Sequence, residues 1–120
     1  MQDFVPAPIK SIVQFPALEA LDIRVGTIEL VEAVPRSHKL MRLTVNFGDH
    51  TRKVLAGIRK ERANPQEIVG KQALFVVNLE PRQIAGELSE GMLFDLGYAD
   101  GITPVLAMPE RPVPNGTRAG

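Results

Sequence analysis

From Ile23 to Val34 the chain reads Ile-Arg-Val-Gly-Thr-Ile-Glu-Leu-Val-Glu-Ala-Val, a β-branched texture that predicts a long first strand. Gly26 stands where such a strand could bulge or bend sharply. Pro35-Arg36-Ser37-His38 breaks it, after which Met41, Leu43, Val45 and Phe47 alternate with Arg42, Thr44 and Asn46, the period of a half-buried strand. Gly48-Asp49-His50-Thr51 supplies turn chemistry, so Arg52 to Ala56 reads as the partner strand of a hairpin. Asn64 to Gly70 holds an N-cap, a proline at the first helical position, a carboxylate three after the cap and a closing glycine, which predicts a helix of one or two turns. Lys71 to Leu79 is a dense apolar run suited to a central strand covered on both faces. Gly86 to Gly91 then loops back, Met92 to Leu96 is apolar again, and Ala99-Asp100-Gly101 turns into Ile102 to Ala107.

Three strands, a short helix and two or three further strands, joined by connections mostly too short for parallel crossovers, predict an all-β fold. The order fits an OB-fold, a five-stranded Greek-key barrel with its short helix between strands three and four, here with extended N- and C-terminal segments. An SH3-like barrel is the rival and places that helix less well. With 120 residues, 44% of them apolar, the chain suits one domain. Pro6, Pro8 and Pro16 mark residues 1–16 as an extended arm, leaving 17–120 for the barrel and a tail with prolines at 109, 112 and 114.

Fourteen bases against fourteen acids give zero net charge, which excludes binding of a polyanion by bulk charge alone. The neutrality conceals segregation. Between Arg36 and Arg62 lie eight bases and two acids, a net of +6, so the remaining residues carry −6. On the barrel reading this span covers the loop between strands one and two, strands two and three, and the lead into the helix, the side that OB-folds use for oligonucleotides. The alternative is that these are solvated outward positions of a hairpin. Aromatic content is only 5% and several rings look committed to the core or arm, which favours recognition of backbone shape and phosphates over base stacking.

Candidate chemistry is sparse. The absence of cysteine excludes disulfides, thiolate nucleophiles, zinc fingers and iron-sulfur sites, and suits the reducing cytoplasm. His38 and His50 fall in turns without metal-ligand spacing, and Ser37-His38 and Ser89-Glu90 lack a nucleophile-elbow context. No glycine-rich phosphate loop is present, so neither an enzyme nor a cofactor is expected. The longest apolar run, Ala73 to Val77, falls far short of the roughly 20 residues of a membrane span. An early acid and two prolines argue against a signal peptide, so the N-terminus is expected to be retained. The richest stretch runs from Asn78 to Met92, where an amide, a guanidinium, a hydroxyl and a thioether surround one loop with Gly86 and Gly91. Each also has a structural reading: Asn78 satisfying backbone, Ser89 capping a turn, Met92 entering the core.

Several motifs carry a family likeness. Leu21-Asp-Ile-Arg-Val-Gly26, Lys39-Leu40, Leu55-Ala-Gly-Ile58, and above all Asn78-Leu79-x-Pro81-Arg82 with Gly86-x-x-Ser89-x-Gly91-Met92, closely resemble the tRNA-binding domain family. Its members include free-standing structure-specific tRNA-binding proteins, the C-terminal appendage of some methionyl-tRNA synthetases, and the export-related chaperone CsaA. The resemblance covers nearly the whole chain from about Phe15, and implies an OB-fold, a homodimer when free-standing, and binding of tRNA by its folded shape. Carried over by position, it implicates Asn78, Arg82, Ser89, Met92 and Lys39 in RNA binding, to which the charge segregation adds Arg36 and Arg42. Where the family often has Ala-Asp before the lysine and an aromatic after the leucine, this chain has Ser37-His38 and Met41. Leu55-Ala-Gly-Ile58 looks more like the tRNA binders, and Pro112-Val-Pro-Asn-Gly-Thr117 more like CsaA. The implied partners are tRNA and a second copy of the chain, with unfolded peptides or an aminoacyl-tRNA synthetase as the alternatives.

Overall fold

The computed structural model describes residues 4–120; Met1, Gln2 and Asp3, the start of the expected arm, lie outside the described residues. Residues 4–14 have no regular structure and are exposed throughout. A helix that the sequence pattern did not predict follows, α1 (Phe15–Glu19), straddling the expected end of the arm at residue 16. Pro16 stands in its first turn, where a missing N–H costs no helical bond, and Ala17, Leu18 and Glu19 are good helix formers.

β1 (Ile23–Ala33), β2 (Met41–Asn46) and β3 (Thr51–Ala56) form an antiparallel meander, with Ala33 opposite Met41 and Asn46 opposite Thr51. The alternation in β2 sends Met41, Leu43 and Val45 into the core beside Val54 and Ala56, and turns Arg42 and Asn46 outward. β4 (Gln72–Val76), shorter than the apolar run that predicts it, pairs with the first half of β1 and on its other edge with β7 (Met92–Leu93). The sheet order is therefore β3-β2-β1-β4-β7, the curled antiparallel arrangement of an OB-type barrel.

Gly26 does not bulge; it stays in register with Ala73, and the irregularity falls between Ile28 and Leu30 instead. A Cβ at Gly26 would lie 2.5 Å from Val45 Cγ1 and 2.8 Å from the Phe47 ring, so close packing across the core is what requires glycine. The predicted helix is a single 3-10 turn, Pro65–Ile68, capped by the Asn64 side chain accepting from the Gln66 N–H at 3.2 Å. It ends after one turn because Val69 is extended and the Gly70 N–H bonds to Ile28 O at 2.7 Å. This turn lowers Ile68 into the core with Ile28, Leu43, Val45, Val54 and Phe75, all fully buried.

The expected loop from Gly86 to Gly91 contains strand: β5 (Arg82–Ile84) and β6 (Glu87–Ser89) pair as a hairpin whose two-residue turn is Ala85-Gly86. Both turn residues have positive φ, 51° and 82°, as a type I′ turn demands. Residues 92–107 hold β7, then β8 (Asp95–Leu96) paired with β9 (Val105–Leu106) around a 3-10 turn, Tyr98–Asp100. The tail lies along the edge of β1 that β2 leaves unpaired: Val25 N–H donates to Thr117 O at 2.9 Å, and Gly116 N–H to Val25 O at 2.8 Å.

Candidate nucleic-acid interface

The ends of the sheet meet along β3. Leu55 N–H donates to the Ser89 hydroxyl at 3.0 Å, Lys53 N–H to the Glu90 carboxylate at 3.0 Å, and Glu90 N–H returns to Lys53 O at 2.9 Å. Side-chain oxygens thus supply two of the three bonds that a regular ladder would make from backbone. Ser89 is buried and also donates to Gly91 O at 3.0 Å, so the hydroxyl is engaged on both sides.

Closure along this seam sets the β5–β6 hairpin beside the outward face of β2 and β3. Arg42 stands opposite Leu55, Leu55 bonds Ser89, and Ser89 stands opposite Arg82. Arg42 and Arg82 are therefore about three strand spacings apart, roughly 14 Å. Arg42 reaches Glu87 of the hairpin (Nη1 to Oε1, 2.6 Å) and Glu32 of β1 (Nε to Oε1, 3.4 Å). The carboxylate of Glu87, and behind it Glu32, raise the Arg42 guanidinium pKa further above its ordinary value.

The loop between β1 and β2 carries the other cations. Ser37 Oγ accepts from the Lys39 and Leu40 N–H groups at 3.2 and 3.0 Å, a local turn built by a short hydroxyl side chain. Arg59 clamps this loop, donating from Nη1 to Ser37 O at 2.7 Å and from its backbone N–H to Lys39 O at 3.0 Å. Arg36 crosses the hairpin tip so closely that a Cβ at Gly86 would lie 3.3 Å from its Nη1. Among the described residues, Arg36, Lys39, Arg59, Lys60 and Arg82 make no ion pair, and all five are exposed. Arg36, Lys39 and Arg59 thus gather where β1 ends and β2 begins, with the hairpin alongside. Near them Glu61 has its carboxyl pKa raised, first by burial and then by Asp95, against the opposing pull of Arg62 and Lys39.

Other bases of the +6 span engage side chains or carbonyls of the barrel, Lys53 while staying exposed and without a carboxylate partner among the described residues. Arg52 lies on the inward face opposite Val45 and donates from Nη1 to Val77 O at 2.6 Å and Glu90 O at 3.1 Å, closing the far end of the barrel. Lys53 Nζ donates to Thr44 Oγ1 at 2.7 Å, and Arg62 pairs with Glu67 at 2.6 Å.

Asn78 stands apart from the loop cations by the length of β1. Its Nδ2 donates to Ala20 O at 2.8 Å and its Oδ1 accepts from Asp22 N–H at 2.8 Å, which ties α1 to the start of β1. The neighbouring Asp22 carboxyl is held below its ordinary pKa by hydrogen bonds from Arg24, at 2.8 and 3.0 Å. Met92 pairs with Val76 in β7 and leaves its side chain 46% exposed. The structure therefore brings Arg36, Lys39, Arg42, Arg82 and Ser89 to one side of the barrel and sets Asn78 at the other end of β1. Sequence reading overlooked Glu87 and Arg59 as parts of this side; Arg59 was visible only as one charge in the basic span, and nothing local distinguished Glu87.

No aromatic residue lies on β2, β3, β5 or β6. Phe47 and Phe75 meet edge-to-face in the core at 5.5 Å, whereas Phe15 and Tyr98, on α1 and the 3-10 turn, are each 67% exposed. Among the described residues no cluster of three or more His, Cys, Asp or Glu side chains could hold a metal, and no helix is long and apolar enough to cross a membrane.

A curled antiparallel barrel with a cation-rich rim beside a short hairpin is the architecture of an OB-type binding module. Residues 23–118 match the family model described as "Putative tRNA binding domain", and the chain belongs to that tRNA-binding domain family. It is 46% identical over 92 residues to a methionine–tRNA ligase of Chlorobium chlorochromatii, a match covering 77% of this chain and 13% of that protein. A methionine–tRNA ligase of Porphyromonas gingivalis is 42% identical over 112 residues, covering 93% of this chain and 16% of the ligase. The chain thus spans a small part of the curated relatives it matches. Among solved structures, a MetRS-related protein from Pyrococcus horikoshii superposes with a TM-score of 0.84 at 32% identity, covering 92% of this chain and 100% of that one. The chaperone CsaA from Bacillus anthracis superposes at 0.79, also at 32% identity, covering 92% of this chain and 100% of its own.

Proposed function

We propose that this domain holds folded tRNA without catalysis, as a homodimer presenting two basic rims, with Arg36, Lys39 and Arg82 at backbone phosphates. The observation that carries the reading is the rim itself: these three cations are exposed and make no ion pair among the described residues, with Arg36 lying across the tip of the β5–β6 hairpin. A neutral chain gains affinity for a polyanion this way because phosphate contacts are local, and such contacts fix position without reading sequence. The lack of rings on the adjoining strands supports recognition of a folded backbone over a threaded single strand.

The test is binding of tRNA, hairpin RNA and single-stranded RNA at several salt concentrations. Intact tRNA is expected to bind tightest, and three phosphate contacts give log affinity against log salt a slope of about −2 to −3. A flat salt response, or equal binding of unstructured RNA, overturns the reading.

The exposed arm favours a second reading, capture of unfolded peptides by the same module. Ile9 is fully exposed and Ile12 98% exposed, with Val5, Val13 and Phe15 beside them in sequence. Excess tRNA displaces a bound peptide if the two share a site and leaves it in place if the arm is the peptide site. Sedimentation decides the dimer: a monomer at micromolar concentration removes the two-rim model. Association with a synthetase is the natural extension, given relatives in which this domain is part of a methionine–tRNA ligase.

A further inference from the structure

Arg42 is the most interior cation of the proposed interface, and it is not available. Its guanidinium donates at 2.6 Å to Glu87 and at 3.4 Å to Glu32, and the side chains of Arg42 and Glu87 are only 26% and 25% exposed. One arginine between two carboxylates leaves the Arg42–Glu87–Glu32 cluster with a charge of −1, beside the loop cations and the hairpin that carries Arg82. A phosphate approaching Arg42 must displace a charge-assisted hydrogen bond of ordinary strength and meets a second carboxylate behind it. The hairpin that delivers Glu87 is held by the Ser89 seam at its base and by the pairing of Ile84 with Glu87 across the two-residue Ala85-Gly86 turn. Glu87 is therefore built into position rather than sampled by a loose chain.

Resting on the tRNA-backbone reading above, we propose that Glu87 is a specificity-determining residue of this interface. It withdraws Arg42 from phosphate binding and sets a carboxylate beside it, so that a polyanion shaped to bridge from the Arg36–Lys39 loop to Arg82 is held best. A flexible polyanion gains from every accessible cation, whereas a folded one gains from the few that its shape can reach together. Masking one central cation therefore penalises the flexible ligand more, and discrimination comes from the repulsive element as much as from the attractive ones.

The experiment compares wild type, Glu87→Gln, Glu87→Ala, Arg42→Met and the double variant Arg42→Met/Glu87→Gln, using tRNA and poly(U) as probes over 50 to 200 mM salt. Melting curves identify the variants that are folded, and Glu87→Ala replaces Glu87→Gln if the latter is not. Freeing Arg42 adds one phosphate contact, so poly(U) binding should lose about threefold more affinity across that salt range than wild type does. The preference for tRNA over poly(U) should fall, and the added salt dependence should shrink by more than half when Arg42 is Met. No steepening, equal steepening with and without Arg42, or an unchanged tRNA preference overturns the proposal. If wild type binds tRNA with the expected slope and only the Glu87 effect is missing, the proposal alone fails; if no variant binds RNA, the functional reading fails with it.

Discussion

Ser89 shows how a residue placed by motif acquires its role from geometry. Its oxygen accepts from Leu55 N–H, a donor buried on the inner edge of the seam, and its proton goes to Gly91 O. In Ser89→Ala the Leu55 N–H and Gly91 carbonyl lose these partners together, a cost of about 1–3 kcal/mol for a buried donor left unsatisfied. A lowered melting temperature is expected, with tRNA affinity well below melting almost unchanged and the salt slope unaltered. Affinity loss without a fall in stability would instead make Ser89 a direct RNA contact. The motif from Gly86 to Met92 was legible as unusual, but its partner lies 34 residues away, and no local pattern encodes a bond across that separation. Asn78 is a parallel case, since its acceptor and donor are Ala20 and Asp22.

At the level of elements, β-branched texture made β1 legible, alternation made β2 legible, the turn at Gly48–Thr51 made β3 legible as its hairpin partner, and the Asn64-Pro65 cap marked the short helical turn. The β5–β6 hairpin was not legible: three-residue strands are too short to show a period, and its turn uses Ala85 where a sequence rule looks for Asn or Asp before glycine. α1 was not legible because five residues are too few to show a helical period and prolines at 6, 8 and 16 mark the segment as extended. Alternation along β3 assigns its bases to different tasks, with Arg52 opposite Val45 on the inward face and Lys53 opposite Thr44 on the outward one. Arg52→Ala removes the donor to the Val77 and Glu90 carbonyls, so stability should fall by about 1–3 kcal/mol. The salt slope for tRNA should stay at the wild-type value, although one of the eight bases of the span is gone. A shallower slope would place Arg52 at a phosphate and move the interface to the other end of the barrel.

Taken whole, the molecule joins a barrel, an arm that touches little of it, and a tail that is fastened down. The composition gave the tail only as proline-rich and extended; what holds it is a set of polar contacts converging on Asn115. Its Oδ1 accepts from Thr27 Oγ1 at 2.8 Å and from Gln72 Nε2 at 2.9 Å, while Gln72 also bonds Val113 N–H and O at 3.1 and 2.7 Å. These contacts set the register in which Gly116, Thr117 and Ala119 pair with Val25 and Ile23. In Asn115→Ala two donors lose their acceptor, so the tail should open locally and the Val25 and Ala119 amides should exchange with solvent about one to two orders of magnitude faster. The Ile28 amide, bonded to Lys71 O inside the barrel, should keep its protection. Acceleration at Ile28 equal to that at Val25 would mean that tail and barrel unfold as one unit, with the tail a part of the barrel's stability. On the proposed interface, at the end of β1 remote from Val25, local opening should leave tRNA affinity intact, and a parallel loss would bring the tail into the binding surface.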